Sequence, residues 1–170
     1  MRPTRADITE VEQLYRRHGP ALLLFATAIT GERSRAQDAL HQVFLKLLED
    51  SHLRRAEDVK AYLFASVRNA ALNDARGRER NVELAAEGLA WFDPPARDYA
   101  EEESLRRALM ELPDEQRQVT VLHVWGELTF AQIAGLLDIS ANTAASRYRY
   151  ALGRLRESMC AKENFCADPR

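Results

Sequence analysis

The feature that most constrains this chain lies in its last third, where two helix signals stand only a few residues apart. Thr129 with Gln132 three positions later is a capping-box pattern, and the apolar spacing behind it predicts a helix to about Leu137. Asp138-Ile139 makes a short turn, and Ser140 is a good N-cap for a last helix that runs past Leu155. Two helices joined by a turn of this length have the spacing of a helix-turn-helix. Residue sizes agree. Ala134 is small where the two helices would cross, and Ile133, Leu137 and Ile139 supply core. Asp138 stands where such a turn usually takes a left-handed Gly, a conformation that Asp tolerates better than most residues.

The helical period divides the last helix into two faces. Ala144, Tyr148, Ala151, Leu152 and Leu155 fall together and are expected to pack inward. Asn142, Ser146, Arg149 and Gly153 fall opposite, flanked by Thr143 and Tyr150. Amide, hydroxyl and guanidinium groups in that arrangement suit base edges and phosphates, and Gly153 leaves the face uncrowded. Arg147 and Arg154 lie at its margin, suited to backbone contact. From Ile139 to Arg156 there are four arginines and no acid. The bland alternative is an amphipathic helix with a solvated arginine face. The capped turn, the small crossing residue and the acid-free basic surface favour DNA.

The rest of the chain is also read as helical. Strand-type alternation is absent, Gly and Pro are few, and Ala, Leu, Glu and Arg abound. The formal charge of −2 over 170 residues decides nothing, but its distribution does. Residues 1–80 hold 14 Lys/Arg against 11 Asp/Glu, residues 81–104 hold 1 against 7, and residues 105–170 hold 9 against 8. An acidic segment thus separates two mildly basic blocks. The expected layout is all-α: a helical domain over 1–80, a linker over 81–100, a helix-turn-helix domain over 101–160 and a tail over 161–170. Inside the linker, Trp91-Phe92 is expected to dock on one of the domains rather than stand in water; contact with a partner is the other option.

In the first block a helix is predicted from Asp7 to His18, interrupted at Gly19-Pro20 and resumed from Ala21 to Thr30, with Gly31 ending it. Ser34 with Gln37 reads as a capping box for a helix to about Asp50. On it Ala36, Leu40, Val43, Phe44, Leu47 and Leu48 face inward, while Asp38, Gln42, Leu45 and Glu49 line the opposite side. A further helix is predicted from about Glu57 to Arg76, with Tyr62, Asn69, Asn73 and Arg76 on one face and Arg54, Arg55 and Lys60 at or before its start. A ring can stack on an unpaired base, amides can read its edge, and arginine can hold phosphate. From spacing alone, Tyr62 as a core ring beside a solvated face is an equal reading. In the second block, helices are predicted over Glu101 to Glu111 and, after the Leu112-Pro113 break, Asp114 to Trp125.

These motifs together resemble bacterial sigma factors. Leu112-Pro113-x-x-x-Arg117, Phe130-Ala131-Gln132-Ile133-Ala134, Ile139-Ser140-x-x-Thr143-x-x-Ser146-Arg147 and Leu155-Arg156 look like the promoter-reading C-terminal domain. Ala36-Gln37-Asp38-x-x-x-Gln42-x-Phe44 and Ala61-Tyr62-Leu63-Phe64-x-x-x-Arg68-Asn69 resemble the other conserved sigma domain. Size and layout are similar to the extracytoplasmic-function (ECF) group of the sigma-70 family. The resemblance implies binding to core RNA polymerase, recognition of promoter DNA and melting of its −10 element. On that implication Ser140, Asn142, Thr143, Ser146, Arg147, Arg149, Tyr150 and Arg154 serve the −35 element. Arg54, Arg55, Lys60, Tyr62, Arg68, Asn69, Asn73 and Arg76 serve the −10 element. Asp38, Gln42, Leu45 and Glu49 dock on polymerase, with Leu45 as an apolar anchor. An anti-sigma factor is left open as a partner.

The chain departs from the family at three positions. Ala145 and Tyr150 stand where the family commonly has cations, and Ala144 where it has Val. Fewer cations mean fewer released counterions, so the isolated C-terminal domain is expected to bind weakly and to rely on tethering by polymerase.

Other classes fit less well. His18, His41, His52 and His123 are scattered, without a catalytic partner or phosphate loop, so no enzyme, cofactor or metal is expected. Cys160 and Cys166 read as reduced thiols rather than a metal site or disulfide. No run of about 18 apolar residues and no signal peptide are present, so the expectation is a cytoplasmic chain without membrane insertion. A one-component helix-turn-helix regulator would need a ligand pocket or receiver, and a helical adaptor would need no basic face.

Overall fold

The computed structural model describes residues 5–49, 58–76 and 99–162. Among them are seven α-helices and no strand. The chain divides into two compact units, Met1–Ala96 and Arg97–Arg170.

The first unit contains α1 (Arg5–Thr30), α2 (Arg33–Glu49) and α3 (Val59–Arg76), each packed on the other two. Its core is apolar and aromatic. Phe25, Phe44 and Phe64 are fully buried with Leu22, Leu40, Leu63 and Val67. Phe25 meets Phe64 edge-on at 5.6 Å, and Tyr15 meets Phe44 at 5.0 Å. Removing an aromatic ring of this kind from water is among the largest single contributions to a small core.

Three expectations for this unit are corrected. First, α1 runs unbroken through Gly19-Pro20. Pro20 lacks the N–H that would reach back one turn, a cost of about 3 kcal/mol in a helix interior. The core face nevertheless continues on both sides of it, with Val11 and Tyr15 buried before and Leu22, Phe25 and Ala26 after, while Pro20 itself faces out. Burial along one stripe outweighs the missing hydrogen bond. Second, Ser34 lies inside the first turn of α2 and is not its cap. The helix starts at Arg33, and the Ala36 N–H donates to the Glu32 carbonyl at 3.0 Å. The link from α1 is too short for Ser34 to stand outside the helix: Gly31 turns the chain at φ +77°, and its N–H donates to Thr27. Third, α3 begins at Val59. Asp58 caps it, with its Oδ1 accepting from the Ala61 N–H at 3.0 Å. Leu48 is half-buried, less enclosed than the other inward residues of α2.

The second unit comprises α4 (Tyr99–Glu111), α5 (Asp114–Val124), α6 (Phe130–Leu137) and α7 (Ala141–Lys162). Here α7 is the central element and packs on α4, α5 and α6. The helices around α7 are short, and polar groups close several of the ends. Arg117 is 7% exposed. Its guanidinium donates to the carbonyls of Met110 and Leu112 at 3.0 and 3.2 Å and pairs with Asp114. One side chain thereby satisfies carbonyls left open at the end of α4 and ties them to α5. At the other end of α5 the chain turns through Glu127 at φ 51°.

The capping box at Thr129 and Gln132 is formed in full. Asp138 takes the left-handed conformation (φ 57°, ψ 50°), as the turn requires. The Ser140 hydroxyl accepts from the Thr143 N–H at 3.0 Å and so caps α7. Leu152 corrects the expected inward face of α7, being 43% exposed. Ala144 and Ala151 are fully buried, and Leu155 packs beside Leu109, Leu112 and Ala151. Leu152 lies one helical step from Ala151, beyond the edge of that contact.

Candidate nucleic-acid interface

The exposed face of α7 is built from its first turn outward. Ser140 and Thr143 hold each other, Oγ to Oγ1 at 2.8 Å, at the point where the helix leaves the turn. Asn142, Arg149, Tyr150, Gly153 and Arg154 are exposed, Tyr150 to 70%, and Thr143 and Ser146 are half-buried. A Cβ built on Gly153 meets nothing within 4 Å, so a neighbouring backbone has room to approach. Arg147 differs from the other arginines. Its side chain is 24% exposed, and its Nη2 lies 2.7 Å from Oε2 of Glu115 in the first turn of α5.

Behind this face an aromatic group fixes the helices. The His123 ring of α5 stacks on Phe130 at the start of α6, 4.4 Å between centroids, and meets Tyr148 of α7 edge-on at 4.7 Å. Its Nδ1 donates to the Leu128 carbonyl at 2.9 Å, because a carbonyl only accepts. Sequence reasoning passed over His123 as one of four scattered histidines. The available signal was its place between Val121-Leu122 and the Leu128-Thr129-Phe130 segment, which has one aromatic at a helix start.

In the first unit, Tyr62 is 39% exposed on α3, with Asn69 and Asn73 exposed and Lys60 and Arg68 half-buried. The Nε of Arg68 is buried without a hydrogen-bond partner. Tyr62 is therefore not a core ring. Arg76 ends α3; its side chain, together with Arg54 and Arg55, lies outside the described residues. On α2, Asp38, Gln42 and Glu49 are exposed and Leu45 is half-buried. The linker with Trp91 and Phe92, the Cys160 side chain and Cys166 also lie outside the described residues. Among the described residues no group of His, Cys, Asp and Glu could hold a metal, and no helix is long and apolar enough to cross a membrane.

Two family models match in chain order: Sigma-70 region 2 over residues 14–81 and Sigma-70 region 4 over residues 102–155. The chain belongs to the sigma-70 family. Its relatives lie in the ECF group of that family. It is similar to the ECF RNA polymerase sigma factor EcfG of Rhodopseudomonas palustris, 29% identical over 80% of this chain and 77% of the relative. It is also similar to the RNA polymerase sigma-E factor of Streptomyces coelicolor, 29% identical over 92% of this chain and 90% of that one. Among solved structures, the sigma factor RpoE of Bartonella quintana, crystallised with the anti-sigma factor NepR, matches with a TM-score of 0.66 at 20% identity. That match covers 91% of this chain and 99% of the other. CnrH, solved in complex with the cytosolic domain of CnrY, matches with a TM-score of 0.61 at 20% identity, over 92% of this chain and 91% of that one. As an ECF sigma factor the chain directs transcription initiation, with core RNA polymerase and promoter DNA as its partners.

Proposed function

We propose how the residues of this sigma factor divide the work. The outer face of α7, with Ser140, Asn142, Thr143, Ser146, Arg149, Tyr150 and Arg154, reads the −35 element, with Arg147 at its margin within reach of the DNA backbone. Tyr62, Asn69 and Asn73 on α3, with Lys60, Arg68, Arg76, Arg54 and Arg55, capture and melt the −10 element. Asp38, Gln42, Leu45 and Glu49 dock on core polymerase. Residues 1–80 form the polymerase and −10 domain, 81–100 the linker, 101–160 the −35 domain and 161–170 a tail. The chain acts by binding, without catalytic chemistry of its own, and works where polymerase does, in the cytoplasm. An anti-sigma factor is a further partner, by analogy with the RpoE of Bartonella quintana, solved with the anti-sigma factor NepR.

The observation that carries the reading is the exposed face of α7, free of acids from its start to Arg156 and set at a capped helix start after a left-handed turn. Polar donors on such a helix can enter a major groove, while nearby guanidinium groups hold the backbone. Run-off transcription with purified core tests it. Core plus this chain initiates at a promoter where core alone does not. Arg149→Ala weakens dependence on the −35 sequence. Asn69→Ala reduces permanganate reactivity in the −10 region on a closed template and is rescued on a premelted one. Equal loss on both templates would remove Asn69 from melting.

A further inference from the structure

Among the described residues, Arg147 is the one arginine of α7 seen paired with an acid of another helix, and that acid is Glu115 of α5. By helical spacing Arg147 shares a flank with Thr143 and Arg154, beside the base-facing stripe and within reach of a DNA backbone. Its guanidinium is nonetheless drawn toward α5 and three-quarters covered, while Arg149 and Arg154 stand exposed. Glu115 is 69% exposed and sits in the first turn of α5, whose N-cap is Pro113 and carries no side-chain cap. A carboxylate is favoured there by the open N–H groups. The acid therefore occupies a site that holds it at the margin of the DNA-facing surface.

We propose that Glu115 is a positioning residue of the −35 reader: by holding Arg147 it withholds one phosphate contact and lowers the affinity of the reader for duplex DNA of any sequence. This rests on the −35 reading of α7. A phosphate contact adds affinity that is blind to sequence, whereas base contacts supply the choice. Diverting one cation lowers affinity for every duplex but leaves the base-reading groups in place.

The test uses holoenzyme assembled from core and full-length chain: wild type, Glu115→Gln, Arg147→Met and the double variant. Met keeps an unbranched apolar stem against α5. Binding is measured by fluorescence anisotropy on a promoter duplex and on the same duplex with its −35 element replaced, from about 50 to 200 mM salt. Glu115→Gln is expected to tighten binding to both duplexes alike, severalfold at the low-salt end, leaving the preference between them unchanged. It steepens the salt dependence by roughly one counterion, about a further threefold loss of affinity across that range. In the Arg147→Met background, Glu115→Gln changes neither quantity. An unchanged salt slope in Glu115→Gln overturns the proposal. So does the same change in both backgrounds, which would make Glu115 a bare repulsive charge. If wild-type holoenzyme fails to distinguish the two duplexes, the −35 reading itself fails, and the slope of Glu115→Gln still reports on the pair.

Discussion

The two units of this sigma factor are stabilised in different ways. In the first, three long helices bury a continuous apolar core with three phenylalanines at its centre. In the second, helices as short as Phe130–Leu137 are held by devices at their ends: the Arg117 clamp, the Thr129 box, the left-handed Asp138 and the Ser140 cap. A short helix buries little surface and leaves as many open backbone groups as a long one, so closing them weighs more. The difference suits the proposed roles. A unit that docks and strains DNA gains from a deep core, whereas a reading helix must start at a fixed residue in a fixed direction, which caps and turns specify.

Hydrogen exchange read peptide by peptide separates the two units and can break this comparison. The largest effect is expected from Phe44→Ala, which leaves a cavity in the first core and costs about 3–5 kcal/mol. Amides of α1–α3 should lose protection while those of α5–α7 keep theirs. Equal loss in both would mean that the units do not hold their stability separately. Next comes Arg117→Ala, which frees the buried carbonyls of Met110 and Leu112 and costs about 1.5–3 kcal/mol, read as faster exchange confined to the second unit. Arg117→Lys should restore only part, because one ammonium cannot reproduce the fork that reaches both carbonyls and Asp114. Thr129→Ala should cost about 1 kcal/mol, with faster exchange concentrated in the first turn of α6. The smallest expected effect has the opposite sign. Glu127→Gly relieves a left-handed residue that has no intrinsic tolerance for it, and should raise the thermal midpoint of the second unit by an amount matching about 0.5 kcal/mol after the entropy cost of Gly. A midpoint that falls would show that the Glu127 side chain contributes more than its backbone strain removes.

Legibility followed the same division. The helix-turn-helix could be read closely because its determinants are local: the Thr129 box, Asp138 and Ser140 act on backbone groups within a few residues. The outer face of α7 and the polar stripe of α2 followed from helical spacing alone, and the exposure of Tyr62 removed the reading of it as a core ring. In the first unit, local signals misled twice. Gly19-Pro20 is a strong breaker and Ser34-x-x-Gln37 a fair cap, yet α1 continues and α2 starts earlier. The first was overruled by the apolar stripe that α1 keeps in the core, the second by the short link through Gly31.

By itself, the sequence determined an all-helical chain, two motif-bearing blocks in the order of a sigma factor, and a capped last helix with four arginines and no acid up to Arg156. Only the tertiary structure decided how the charged and aromatic groups are used. Arg117, from a family motif, became a clamp on two carbonyls, and His123 a wedge between three helices. Leu152 was left in water, and Arg147 was drawn from the backbone-facing margin to Glu115. The physical reason is range. Caps, turns and helical faces are fixed by neighbours along the chain, whereas an ion pair or a stacked ring depends on residues far apart in sequence meeting at a few ångströms, which no period in the sequence encodes.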